Sequence, residues 1–416
     1  MAVKPYAWIE GAPLDDHTRR KHKILREYFF KYIMVRCQIP QQRKFRLAVI
    51  DGFSGAGRYV CGSAGSPIIF LEELRRSLDA VNLARSDQGL GRVEIECLFI
   101  FNDASPDAMA LLQQHCAPVV AEIQASCPQL HISVEYMTAE FKRSYPKIKA
   151  LIAAGRFRNV LFNLDQCGHS QVEHATLIEI MRSTAAVEIF YTFAIESLLT
   201  FLSRTNKRLM AGQLKHLGID GTNLHAVEKA FSNAEWLGAA EKLVFETHKV
   251  CAPYASPFSI QNPDGWRYWL IHFANKVRAR QVYNNVLHDN STSQAHFGRA
   301  GLDMLSYDPS HDGSLYLFDV NGRAAARAQL HDDIPRLLTE LGDAIGVGEF
   351  YENVYNMTPS HMDDVHAAMI ANPDLEVITP SGGARRAASA ISFDDVLRLK
   401  AQRSLFPMFS LPLKKK

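Results

Sequence analysis

The sequence predicts an α/β fold: a doubly wound, mostly parallel sheet with helices on both faces, followed by a small α+β unit. Three observations carry that expectation. After Pro40, short apolar runs alternate with amphipathic stretches, which is the pattern of successive βαβ units. The first apolar run ends in a glycine-rich turn, Asp51-Gly-Phe-Ser-Gly-Ala-Gly57, at the place where the first strand of such a sheet meets a ligand. Near Gly346–Gly348 the style changes to two short helices and a hairpin pattern. The length of 416 residues also exceeds what one core fills, so more than one domain is expected.

The elements follow in order. Asp15 or Asp16 can cap a first helix, in which Ile24, Leu25, Tyr28, Phe29, Tyr32 and Ile33 recur at the helical period. Arg46–Ile50 is a strand and Ser66–Leu83 the helix after the turn. Ile95–Phe101 is a second strand, Pro106–Cys116 its helix, His131–Tyr136 a third strand and Asn159–Leu164 a fourth. Val172–Thr184 reads as a helix and Val187–Ala194 as a fifth strand. From about 203 to 260 the chain reads as a mostly helical, polar insertion. Trp266–Phe273 returns as a strand, Lys276–Leu287 as a helix, and Ser291–Asp312 as loop. Beyond Gly348 come a helix Glu349–Asn356, a turn at Pro359, a helix Met362–Ala371 and a strand Leu375–Thr379. A glycine turn at Ser381–Gly383 then leads to a strand or short helix ending at Leu399. That string fits a winged helix-turn-helix, and other small α+β appendages give the same one. The expected division is a basic helical segment 1–45, an α/β domain 46–345 and a C-terminal domain 346–416.

Composition excludes several classes. A hydrophobic content of 47% with 22% charged residues is neither disordered nor collagen-like. The apolar run Phe190–Leu199 is broken by Glu196 and is too short for a bilayer, and the N-terminus lacks an apolar signal core. A cytoplasmic protein with no membrane partner is therefore expected. Seven scattered cysteines with no CxxC suggest neither a disulfide framework nor a zinc site. The net charge of +2 hides an uneven distribution: His17–Arg46 holds ten Lys/Arg and one acid, Glu27. Its cations, Arg19, Arg20, Lys21 and Lys23 among them, form either a solvated helix face or a surface that tracks phosphates of RNA or DNA. The terminal Lys414–Lys416 reads as solubilising.

The chemistry concentrates at strand ends. Glycines in D-x-F-x-G-x-G allow φ > 0 and close approach of a ligand. The spacing departs from G-x-G-x-x-G and carries no Walker Lys-Ser/Thr, which disfavours NAD and ATP. It resembles the first motif of class I S-adenosylmethionine methyltransferases. That resemblance places Asp51 near the cofactor's methionine ammonium, with Gly52, Phe53, Ser54, Gly55 and Gly57 admitting its amino-acid end. It places Asp103, ending the second strand, at the ribose hydroxyls; capping the helix ahead of Ser105-Pro106 is the alternative. Glu140, after the third strand, falls where adenine is contacted. Asp165, after the fourth, would face a target amine, although the prolines and aromatic of that motif are missing; a loop carboxylate capping the Val172 helix is the alternative. Cys167 with Glu196 would suit covalent attack on a pyrimidine, against the reading of an inert cysteine. Cys167 with His169 and His174 matches no standard metal-ligand spacing, and no metal is expected.

Four passages together resemble the three-Cys-motif partner protein (TcmP) family, which is class I methyltransferase-like. They are Lys23-Ile-Leu-Arg-Glu-Tyr28, then Ile50–Tyr59 with Gly65-Ser66-Pro67, then Asp165-Gln166-Cys167-Gly168, and finally Val277–Leu287, Gly348-Glu349-Phe350 and Thr358–Ile378 with Arg385 and Arg386. The third stands where the family has Asp-Pro-Phe-Gly. Coverage is nearly the whole chain, but only Asp51–Tyr59 with Gly65–Pro67 is specific. The resemblance implies a Rossmann-like methyltransferase sheet, a winged-helix-like C-terminal domain in which Arg385 and Arg386 sit in the wing, S-adenosylmethionine as cofactor, and a radical-S-adenosylmethionine-like partner encoded nearby. It leaves two functions open: methyl transfer to nucleic acid, or a catalytically degenerate accessory role.

Overall fold

The computed structural model describes residues 8–203, 205–219, 233–261, 267–289, 294–297, 315–317 and 319–400. Helix α1 (Asp16–Arg36) opens at Asp15, whose carboxylate accepts the Thr18 N–H at 3.0 Å, an N-cap satisfying one of the free donors of the first turn. All six apolar positions expected on its inner face are buried.

The main sheet contains β1 (Lys44–Asp51), β2 (Glu94–Asp103), β3 (Leu130–Thr138), β4 (Asn159–Leu164) and β5 (Ala186–Phe193), then β6 (Tyr254–Gln261), β7 (Arg267–Ala274), β8 (Gln294–Phe297) and β9 (Leu315–Leu317). Their order is β3-β2-β1-β4-β5-β7-β6-β8-β9. The first five are parallel, and β7 pairs antiparallel with both β5 and β6. Successive strands are joined by α2 (Ser66–Asp87), α3 (Pro106–Ser126), α4 (Phe141–Ala154) and α5 (His174–Ser183). Both faces are covered, so alternate residues enter different cores: Leu47 and Val49 one, Ala48 and Ile50 the other. The chain moves outward from β1 to β3, then crosses back to β4. The strand order therefore reverses between β1 and β4, and a crevice opens at their carboxyl ends.

The stretch 203–260 needs correction. It holds α7 (Lys207–Leu214), a 3₁₀ turn at Lys215–Leu217 and α8 (Asn233–Lys249), after α6 (Ile195–Phe201), but its end is strand β6 rather than helix. Phe258 and Ile260, two apart, enter one core while Ala255 enters the other, a period of two that the polar surroundings obscured. Helix α4 was not anticipated, although Phe141, Ser144, Tyr145 and Ile148 are buried at helical spacing. Strand β8 falls in the stretch 291–312 expected as loop; the rest of that stretch, positions 204 and 220–232 of the expected insertion, Trp266 and Lys414–Lys416 lie outside the described residues.

After α9 (Val277–Asp289) the C-terminal unit is built from α10 (Val320–Glu340), β10 (Ala344–Gly346), α11 (Val347–Val354), α12 (Met362–Ala371), β11 (Leu375–Ile378) and β12 (Val396–Leu399). Its three strands form an antiparallel sheet in the order β10-β12-β11. Helix α10 had no counterpart in the sequence reading. Its Leu330, Ile334 and Leu338 share a core with Phe350, Met369 and Leu397, and with Tyr254 and Ala274 of the main sheet. This core thus draws on residues before 346. No described helix is long and apolar enough to cross a membrane.

Candidate functional site

The crevice at β1 and β4 is assembled from main-chain bonds first. Asp51 ends β1, facing Phe101 of β2 and Asn163 of β4. Beyond it the Gly52 N–H donates to Asn163 O and the Ser54 N–H to Asn102 O, both at 2.9 Å, so the turn is fixed to both neighbouring strands. Gly52 packs below Leu164 and Phe141, and Phe53 leans on the Phe141 ring at 5.9 Å. Gly55 and Gly57 have φ of +57° and +78°, which L side chains adopt only at a cost. A Cβ on Gly55 would stand 2.5 Å from Trp8 Cζ2; the indole lies on the turn.

Asp51 is fully buried beneath this turn. Its Oδ1 accepts the Phe53 N–H at 3.3 Å, while Oδ2 and the neighbouring Asn163 Nδ2 complete no hydrogen bond among the described residues. Burial pushes the carboxyl up to about 7, against the lowering effect of Ser66 and Asn163 beside it. Asp103 joins the second strand to the turn: Oδ2 accepts the Gly55 N–H at 2.9 Å and Oδ1 the Ser105 N–H at 2.8 Å. The cap of α3 is Ser105, whose Oγ accepts from the Ala108 N–H, so Asp103 is not the helix cap. Glu140 stands apart, exposed at the start of α4 and 3.7 Å from Arg143.

Asp165 follows β4. Lys21 of α1 donates to its Oδ1 at 2.5 Å, and 24% of the Asp165 side chain remains accessible. Burial raises its pKa, but the Lys21 ammonium, with help from Thr192 and His22, outweighs it and leaves the carboxyl below its usual value. A narrow cavity runs here, between Lys21 and His22 above and Ser66, Asn163, Asp165 and Thr192 below. Burial, then Lys21, lowers the His22 pKa to about 4, so its ring is neutral. Asp165 does not cap α5, which starts at His174 with Glu173 in the cap position. The loop between is held by buried Gln166, which donates to Tyr191 OH at 2.7 Å and accepts the Gln171 and Val172 N–H groups.

Cys167 is exposed, but the surrounding protein and then the Asp165 carboxylate raise its thiol pKa. This is the opposite of an activated thiolate. Glu196, in the first turn of α6, lies 3.7 Å from Arg267, a guanidinium already bidentate on buried Glu241. His169 contacts His216 at 3.3 Å and His174 contacts Thr247 O at 2.7 Å. Among the described residues no group of three or more His, Cys, Asp or Glu is placed to hold a metal.

The basic segment looks different in three dimensions. Among the described residues six of its ten cations are ion-paired: Arg20 with Asp16, Lys21 with Asp165, Arg26 with Glu72 and Glu73, Lys31 with Asp289, and Lys44 and Arg46 with Glu96. Arg19 and Lys23 are exposed. Arg385 crosses its hairpin to buried Asp395 in a bidentate pair at 2.8 and 3.0 Å, while Arg386 is exposed. Lys21, expected among phosphate contacts, is instead a partner of Asp165. Asn163 and Thr192 were missed, although a lone polar residue near the end of each apolar strand is visible in the sequence. Compared with protein-family models and with curated proteins, the chain finds no match.

Proposed function

We propose that this chain binds S-adenosylmethionine in the β1–β4 crevice and transfers its methyl group to a nucleic acid, working with a three-Cys-motif partner protein. The observation that carries the reading is Asp51: a buried carboxyl beneath a positive-φ glycine turn, with Ser66 and Asn163 beside it and an oxygen that completes no hydrogen bond among the described residues. A buried polar atom left unsatisfied is costly, and a ligand ammonium is the chemistry that would offset it. The residues fit the cofactor in outline. Asp51 would hold the amino-acid end, the turn would let it approach, and half-exposed Asp103 keeps lone pairs for the ribose hydroxyls beyond those used by Gly55 and Ser105.

The bound cofactor supplies a methyl group on a positively charged sulfur. The chain's own part is alignment. Asp165, kept ionised by Lys21, would accept a hydrogen bond from a target amine and turn its lone pair toward the crevice, and neutral His22 would leave the site's charge to Lys21 and Asp165. Exposed Arg19, Lys23 and Arg386 would contact phosphates, which position without reading sequence. The order α10-β10-α11-α12-β11-β12 supports a winged-helix reading of the C-terminal unit.

A second reading, an accessory protein that binds the cofactor without transferring its methyl, is favoured by one contact: Lys21 already occupies the Asp165 oxygen that a substrate amine would use. Calorimetry with S-adenosylmethionine on the wild type and Asp51→Ala tests the cofactor, and absence of binding to the wild type ends both readings. Label from the methyl group entering RNA or DNA, with the encoded neighbour present, selects the enzyme. Binding without transfer selects the accessory protein.

A further inference from the structure

The amino ends of the strands, opposite the crevice, hold a second cavity that the crevice chemistry does not use. It lies at the amino end of β5, roughly 16 Å of strand below Phe193, between α1 and the start of α9, and measures about 50 Å3. That is room for about three to five water molecules, or the head of an equally small solute. Its floor is the Glu188 carboxylate. Tyr28 OH donates to Glu188 Oε2, and His272 Nε2 lies 3.2 Å from the same oxygen; burial holds that imidazole neutral. No cationic side chain pairs with Glu188 among the described residues, and Oε1 accepts no hydrogen bond from them. On the wall, Tyr32 is 4% exposed and its hydroxyl has no hydrogen-bond partner among the described residues.

The rim has the opposite sign. Arg36, whose guanidinium carbon is 6.0 Å from the Tyr32 ring centre, lines the mouth with Lys276 and Arg278. The last two are exposed. Between floor and rim the walls are short and apolar, from Val35, Val187, Ala279 and Val282. A carboxylate with one open oxygen and no cationic partner, and a phenol with no hydrogen-bond partner among the described residues, stand inside with three cations outside, and match a ligand whose positive and negative ends are a few ångströms apart. A simple anion would meet Glu188, and a simple amine would have to pass the three cations.

We propose that this cavity binds a small α-amino acid, its ammonium on Glu188 Oε1 and Tyr32 OH and its carboxylate at Arg36, Lys276 and Arg278. The inference is independent of the methyltransferase reading.

Calorimetry of the full chain with glycine, L-alanine and L-serine tests it, with methylamine and acetate as the two halves of the ligand. A Kd on the order of 1 mM or tighter is expected for at least one amino acid, with each half roughly tenfold weaker or worse. Tyr32→Phe removes one hydrogen bond and should weaken binding about 5- to 10-fold; Lys276→Glu should weaken it about tenfold. Glu188→Gln should abolish it, but that change also touches Tyr28 and His272, so the first two variants carry the decision. The proposal is overturned if no amino acid binds at about 10 mM, or if Tyr32→Phe and Lys276→Glu bind as the wild type does. Loss of binding in Asp51→Ala with retention in Tyr32→Phe would overturn it too, by placing the amino acid in the upper crevice.

Discussion

At the scale of single residues, two carboxylates a strand apart are held in opposite states by their surroundings. Asp51 has a folded pKa of about 7 against an ordinary 3.8, so the folded chain keeps a proton that the unfolded chain has released across that window. The stability linked to this proton is complete below about pH 4 and is lost as pH rises through 7, by about 4 kcal/mol in all. Asp51→Asn never ionises, so urea titrations should show the wild type losing stability relative to it from pH 4 to 7.5; parallel curves would remove Asp51 as a buried acid. The same linkage makes a cationic ligand at Asp51 bind more tightly as pH rises toward 7, up to about tenfold per pH unit. Asp165 shows the reverse case. Lys21→Met strips its counter-charge and should cost about 2 kcal/mol, less than a fully enclosed pair would because a quarter of Asp165 meets water. Asp165→Asn added to Lys21→Met should recover most of that loss, and a double-mutant cycle showing no coupling would contradict the contact. Asp51 and the glycines were legible in the sequence because one turn carries both the acid and its backbone. The pair of Lys21 with Asp165 was not, since its partners lie 144 residues apart and Lys21 resembles its solvated neighbours.

At the scale of elements, α1 shows how a charge pattern misleads. Its cations read as one exposed face, yet α1 is clasped between α2 and α9, and both neighbours send acids to it: Glu72 and Glu73 from α2, Asp289 from α9. A linear count sees the bases and not the acids that fold onto them. The nucleic-acid proposal therefore rests on Arg19 and Lys23 more than on the whole helix. Replacing both with Gln should reduce the salt slope of RNA or DNA binding by about two with little change in stability. Arg26→Gln should do the opposite, costing about 1 kcal/mol because buried Glu73 loses a partner, with the slope unchanged. Filter binding over a salt series, together with thermal melts, separates the two; equal slopes for all three proteins would detach α1 from phosphate binding. Strands β1, β2, β4 and β5 were readable because burial on both faces makes them nearly continuous apolar runs, and edge strand β3 because its buried and exposed residues alternate. Strand β6 and helices α4 and α10 were not: β6 alternates across two cores within a polar setting, and α4 and α10 carry internal prolines, Pro146 and Pro335, that interrupt a helical reading.

At the scale of the molecule, the sheet and the C-terminal unit are joined by a polar seam. One face of α9 presents Arg280, Asn284 and His288, one turn apart and all buried. Each meets the loop before α12: Arg280 Nη2 and Asn284 Nδ2 reach Thr358 O at 3.4 and 3.2 Å, and His288 Nε2 lies 3.0 Å from Pro359 O. Carbonyls facing three side chains need their partners, so the seam orients the two units more narrowly than apolar packing alone would. Beside it, Tyr254 and Ala274 of the sheet complete the C-terminal core. Division of the chain at 346 is therefore a boundary in style rather than in stability. A fragment ending at 345 would expose Arg280, Asn284 and His288 and leave Leu330, Ile334 and Leu338 uncovered. It should be insoluble or melt at least about 5 °C below the full chain. The intact protein should unfold in one transition, with tryptophan fluorescence, whose four sources Trp8, Trp236, Trp266 and Trp269 all precede residue 346, coinciding with far-ultraviolet dichroism. Two separated transitions, or a 1–345 fragment as stable as the parent, would mean that the seam does not couple the units, and that the proposed C-terminal contacts with nucleic acid could not be transmitted to the crevice through it.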